Sequence, residues 1–197
     1  MKPLLVVLGV VAAGVLAVGL WFMGTYNSLV GLREGVNGSW AQVQNVYQRR
    51  ADLVPQLVET VKGAANFEKS TLQAVVEARA KVGSITVDKS VLDDKAKFQQ
   101  FQAAQGQMTS ALSRLMVVVE KYPDLKATAN FRDLQVQLEG TENRITVERR
   151  TFNEAAQAYN TAIKVMPAAI VAGVGHFQER PYFEAATEAQ KAPTVKF

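Results

Sequence analysis

Leu4 to Met23 is an unbroken run of twenty uncharged, mostly apolar residues, and any fold of this chain must first find a place for it. Twenty helical residues rise about 30 Å, the thickness of a bilayer's hydrocarbon core. The run therefore predicts an N-terminal membrane anchor over residues 1–25, in contact with the lipid bilayer from Leu4 to Met23. A cleavable signal peptide is the competing reading, with Lys2 as its basic start and Ala17-Val18-Gly19 as a small-residue cleavage site. Signal peptides carry an apolar region of only about 7–15 residues, whereas this run continues through Leu20, Trp21, Phe22 and Met23. Trp21 and Tyr26 suit the headgroup level of a retained anchor. The chain has no cysteine, which excludes a lipoprotein anchor.

Orientation rests on few charges. Lys2 and the terminal amine precede the span, and the first charges after it, Arg33 and Glu34, cancel. The positive-inside rule then predicts a single-pass protein of the plasma membrane, N-terminus in the cytoplasm and body outside.

About 170 of the 197 residues follow the span, enough for one domain that buries about 70% of its unfolded surface. Twenty-two basic and 18 acidic residues give a net charge of +4, too balanced for a nucleic-acid partner. Without cysteine there is no thiolate nucleophile and no cysteine metal site. One histidine, His176, excludes a histidine pair, so no cofactor and no metal are expected.

The body reads as helix almost throughout. From Tyr26 to Ala65, Leu29, Leu32, Val36, Trp40, Val43, Tyr47, Val54, Leu57 and Val61 recur at helical spacing, with a kink expected at Pro55 and an end at Gly63. A second helix is expected over Phe67 to Val82, with Leu72, Val75, Val76, Arg79 and Val82 on one side. Gly83 to Asp94 reads as a loop. Phe98, Phe101, Gln105, Met108, Leu112, Leu115, Val119 and Tyr122 then alternate strictly at three and four, up to Pro123 and a short connection at Asp124–Lys126. In the last long segment, Asn130 to Met166, Phe131, Leu138, Ile145, Phe152, Tyr159 and Met166 recur every seven residues. Leu134, Thr141, Glu148, Ala155 and Ala162 fill the companion row. Such helices, joined by short connections, predict an all-α fold: the transmembrane helix followed by an elongated antiparallel bundle over residues 26–183. Residues 184–197 read as a tail. Ala168 to Phe177 is apolar but too short to span; packing on the bundle is expected, with a second subunit or the membrane interface as the alternatives.

Arg50 falls on the apolar stripe between Tyr47 and Val54, and Glu139, Glu142, Arg144, Glu148, Arg149 and Arg150 surround the stripe of the last long helix. An ion on a core stripe needs a partner. The expectation is a salt-bridge layer that fixes helix register, against the alternative of a binding site; only a polar pocket converging on Arg50 and Glu142 would favour catalysis. Arginine is a poor general base, and no nucleophile or histidine stands nearby. No catalytic, cofactor-binding or metal-ligating residue is assigned. Asn153 and Asn160, seven apart, share a face, read as solvated or as a seam toward another subunit. His176 reads as an exposed loop residue.

At the level of motifs the chain resembles the LemA family. The resemblance is carried by Tyr26-Asn27-Ser28-Leu29-Val30 and by the signature from Arg49-Arg50-Ala51-Asp52 to Val61-Lys62-Gly63. Ala78-Arg79-Ala80, Tyr122-Pro123-Asp124-Leu125-Lys126-Ala127, Asn130-Phe131 and Thr141-Glu142-Asn143-Arg144-Ile145 also match, as do Arg149-Arg150, Tyr159-Asn160 and Pro193-Thr194-Val195-Lys196-Phe197. Where many members carry a histidine before the glutamate of the second helix, this chain has Phe67-Glu68, which suits a structural position. The resemblance implies a bacterial inner-membrane protein with one span and a helical bundle, related to a protein of magnetosome membranes, and supplies no reaction. The function expected is a non-catalytic scaffold or assembly protein, a homo-oligomer that organises or shapes the membrane. An adaptor holding an envelope protein partner such as a protease is the alternative, and an enzyme the remote one.

Overall fold

The computed structural model describes residues 2–64, 67–85 and 88–184, and among these the regular structure is helical throughout. Helix α1 (Lys2–Lys62) is 61 residues long, about 90 Å, and joins the apolar run to the first helix of the body without a break. From Pro3 to Leu20 its side chains are exposed. Burial begins with Phe22 and becomes complete at Leu29, Val36, Trp40 and Val43. The apolar run therefore projects clear of the bundle, and it is the one helix among the described residues long and apolar enough to cross a membrane.

Helix α2 (Lys69–Gly83) and helix α3 (Lys95–Val119) form a hairpin, linked by a 3-10 turn (Lys89–Leu92) capped by Asp88. A single helical turn, α4 (Pro123–Ala127), leads to the 36-residue helix α5 (Ala129–Lys164), which lies antiparallel against α1 and ends the long part of the bundle. Helix α6 (Ala168–Val174) is short, and the chain then runs in non-helical form to Glu184. The tail from Ala185 onward, with its Pro193–Phe197 motif, lies outside the described residues, as do Ala65 and part of the loop before the 3-10 turn.

Helix α1 continues through Pro55 without a break in the helix. Proline removes its own N–H, so the carbonyl four residues back has no partner within the helix. That carbonyl belongs to Ala51, and it accepts a hydrogen bond from Arg79 Nε of α2 at 3.2 Å. Two separate sequence signatures thus meet at one backbone vacancy. On α2 the buried face is Thr71, Val75 and Ala78; Val76, expected inside, is 50% exposed. The presumed loop after α2 is part of the core, because its 3-10 turn buries Val91 and Leu92. Residues 124–126, expected as a connection, form the helical turn α4 and bury Leu125.

The seven-residue row of α5 is buried from Phe131 through Tyr159, but its companion row drifts. Leu134 and Thr141 are buried, whereas further on Ala156 and Ile163 replace the expected Ala155 and Ala162 in full burial. A straight helix falls about 20° behind a strict heptad on each repeat, so the inward face rotates onto the next residue. By Met166 the row has left both the face and the helix, and that side chain is 71% exposed.

The core divides in two. Near the span, Trp40 meets the rings of Phe98, Phe101, Phe152 and Phe183 at 5.2–6.2 Å. Away from it, Leu53, Leu57, Val61, Leu112, Leu115 and Leu138 make a mainly aliphatic core, to which Phe67 and Phe131 add two rings.

Candidate functional site

The division falls where three helices each place a polar residue on their own apolar stripe: Arg50 between Tyr47 and Val54, Gln105 between Phe101 and Met108, and Thr141 between Leu138 and Ile145. All three are buried, Arg50 to 1% exposure. Its Nη1 donates to Thr109 Oγ1 and to Glu142 Oε1, each at 2.8 Å. Its Nη2 donates to the Gln105 carbonyl at 3.2 Å and to the Gln105 side-chain oxygen. The Tyr47 ring covers the guanidinium at 5.0 Å. Thr141 donates to its own helix at Gln137 O, 2.7 Å away. Partners from α3 and α5 therefore occupy the Arg50 guanidinium, as the register-layer reading expects. Of the other charges around that stripe, Arg49 donates to Gln137 and Arg150 pairs with Glu154.

An open cleft of about 850 Å³ lies over this layer between α3, α5 and the C-terminal segment. A polar recess at Arg50 and Glu142 thus exists, in place of a solid apolar core. Its charges balance: Arg50, Lys95, Arg149 and Arg180 face Asp93, Glu142, Glu179 and Glu184. Burial pushes the Tyr47 hydroxyl above its usual range, against the pull of Arg149 and Arg50. A phenol held neutral in this way donates hydrogen bonds and is a poor base.

The residues from Phe177 to Glu184 act as a strap laid back along α5. Asn160 Nδ2 donates to the Arg180 carbonyl and its Oδ1 accepts from the Arg180 N–H, both at 2.8 Å. One heptad earlier in the helix, Asn153 holds Phe183 by the same reciprocal pair at 2.9 Å. Tyr159 donates to the Gln178 carbonyl at 3.0 Å, and Arg149 and Gln102 both donate to the Glu184 carbonyl at 2.9 Å. Burial raises the Tyr159 hydroxyl pKa as well. Arg180 is buried and paired with Asp93, next to the 3-10 turn. From Gln178 to Glu184 the strap passes roughly 15 Å of α5, so it is largely extended. Asn153 and Asn160 are thus neither a solvated face nor a subunit seam: they present to the strap the donor and acceptor of a neighbouring β-strand.

The strap begins at a tight stop. After Gly175, His176 takes a left-handed conformation (φ 52°), and Phe177 N–H reaches back to Ala172 O while His176 N–H reaches Gly173 O. This is the six-to-one and five-to-two bonding of a helix C-cap. His176 is exposed, as expected of it. Phe177 turns inward against Tyr26, ring centres 5.4 Å apart, with the Arg33 guanidinium over its ring at 5.1 Å. Phe67, where many family members have histidine, is buried against Tyr122 at 4.9 Å.

The LemA family profile matches residues 39–197, four fifths of the chain. The chain belongs to the LemA family. Among proteins similar to it is magnetosome protein MamQ of Magnetospirillum gryphiswaldense, 27% identical over 177 residues, which cover 80% of this chain and 64% of that one. Magnetosome protein MamQ 1 of Paramagnetospirillum magneticum is 26% identical over 175 residues, 81% of this chain and 64% of that one. Protein LemA of Metamycoplasma hominis is 25% identical over 153 residues, 76% and 65% of the two chains. The chain thus spans slightly less than two thirds of the length of these relatives. The signatures of this LemA-family chain sit at the joints of the fold: Arg50 with Glu142, Arg79 with the carbonyl before Pro55, and Tyr159-Asn160 with the strap.

Proposed function

We propose that this protein is a membrane-anchored helical scaffold of the bacterial envelope, which works by assembling with further copies of itself and carries no catalytic chemistry. The observation that supports this best is α1, a single helix that is both the apolar span and the central strut of the bundle. A continuous helix transmits the position and tilt of the span to the whole body. A catalytic domain gains little from such a joint, whereas a scaffold depends on it. The buried cations of the body, Arg50 and Arg180, are bound to partners within the chain, which fits a structural use of charge. Relatives named as magnetosome proteins agree with a membrane-associated protein. The reading places the N-terminus in the cytoplasm and the body outside.

The test is photo-crosslinking in native membranes from Val136, which is exposed on α5. The expected product is a ladder of self-crosslinked species that stays with the membrane through an alkaline wash. A single product with a different protein would overturn self-assembly in favour of an adaptor. That second reading draws on the open cleft beside the strap, which leaves Gln99 and Tyr182 on its walls for a partner segment.

A further inference from the structure

Outside the span, the exposed apolar side chains are mostly scattered: Val76, Val117, Val136 and Val147 stand singly along the bundle. The exception is one end of it. Val165, Met166, Ile170 and Val174 are all exposed, the last three at 71%, 55% and 66%; Ile170 and Val174 lie one turn apart on α6, and Val165 and Met166 stand in the turn that leads into it. No Asp, Glu, Lys or Arg occurs between Lys164 and Glu179. The opposite face of α6 is committed to the bundle, since Val171 and Ala172 pack in the aromatic core with Leu29.

The position of this face is what identifies its occupant. Val165 and Ala168 share a shallow groove with Trp21, Gly24, Thr25 and Leu29 of α1. A Cβ on Gly175, just after α6, would lie 3.1 Å from the Tyr26 ring. Helix α6 therefore stands beside residues 21–29 of α1, where the apolar run ends and interfacial aromatics begin. A span that fills the hydrocarbon core with Leu4 to Met23 brings α6 to headgroup depth. There its outward face can leave water without any further protein partner, while the flanking charges of Lys164 and Glu179 remain in solution.

We propose that the exposed Ile170–Val174 face of α6, together with the turn at Val165 and Met166, is a second membrane contact, a foot set into the interface of the same bilayer that holds the span. The inference rests on the anchored reading above. Two contacts at one base fix how the bundle leans and turns relative to the membrane, which a single helix leaves free.

The chain has no cysteine, so single labels can be placed cleanly. The experiment uses the full chain reconstituted in phosphatidylcholine vesicles, with an environment-sensitive fluorophore on Ile170→Cys, Leu16→Cys or Val117→Cys. Lipid-borne quenchers and aqueous iodide are compared. The expected result is that a shallow lipid quencher removes most of the Ile170→Cys emission, a deep one removes most of Leu16→Cys, and only iodide reaches Val117→Cys. An Ile170→Cys label that behaves like Val117→Cys while Leu16→Cys is lipid-quenched would overturn the foot and leave the anchor standing. A label shielded from iodide but untouched by lipid quenchers would also overturn it, assigning the face to a second subunit. Loss of lipid quenching at Leu16→Cys as well would overturn the anchored reading itself.

Discussion

The half of the bundle near the span and the half away from it solve the same packing problem with different means. The distal half is mainly aliphatic and heptad-like, with Leu57, Leu112, Leu115 and Leu138 meeting between helices and Phe67 and Phe131 as its buried rings. The proximal half is aromatic, and its helices do not close over their own core. Phe183 of the strap packs on Phe98 at 4.9 Å and Phe152 at 5.5 Å, and two asparagines hold the strap there. Large rings bury more area per residue and leave more irregular gaps than leucine, so an extended segment completes what helices alone leave open. Between the halves, Arg50 and its partners specify which turn of α1 faces which turn of α3 and α5. An all-apolar seam slides at lower cost than one that would strand a buried guanidinium.

The comparison breaks most sharply at Trp40. Trp40→Ala is expected to lower the stability of the detergent-solubilised chain by about 3–5 kcal/mol, the usual loss for a large buried ring. Hydrogen exchange should show the strap amides loosening while those of Leu112 to Val119 stay protected; equal loosening of both would mean that the core is one unit. Next comes Asn160→Ala, which removes both hydrogen bonds to Arg180 and should cost about 1–3 kcal/mol. Rapid proteolysis after the α6 stop, with α5 intact, is the readout. Glu142→Gln keeps the shape of the polar layer but removes the carboxylate beside Arg50. Because Glu142 is partly exposed, the expected loss is only about 1–2 kcal/mol, read by chemical denaturation.

A gentler probe is alkaline pH. Burial raises both Tyr47 and Tyr159 above the ordinary phenol value of 10.0. The folded chain therefore keeps its protons where the unfolded chain begins to lose them. That stability is present in full below about pH 10 and is lost as pH rises through the folded values. Since both tyrosines belong to the proximal core, its aromatic circular-dichroism signal should fade before the helical signal does. Simultaneous loss would count against separate halves.

The distal half was the easier to read from sequence. Regular three-four spacing of leucines and valines encodes a seam directly, and the polar layer showed itself as Arg50 on an apolar row. The strap stayed hidden because no local period encodes an extended segment fastened by side chains of another helix. One signal was present: Phe152-Asn153 and Tyr159-Asn160 repeat an aromatic–asparagine pair at seven residues, so each amide borders a buried ring. The reading of Val76 as inward and of Met166 as part of the seam failed for a related reason. On α2 the buried row is Thr71, Val75 and Ala78, which turns Val76 outward, and Met166 lies beyond the end of α5 after several repeats of rotation against the heptad. The long joint between span and bundle runs through Gly24-Thr25, a weak stop signal that the helix overrides.

The central claim is that this chain holds a helical body on a membrane in order to assemble there. Its most direct test is the mass of the full chain in a mild detergent, measured by light scattering with the detergent contribution subtracted. The account predicts a defined oligomer that persists on dilution. A particle containing one chain of 21.5 kDa at every concentration would contradict it.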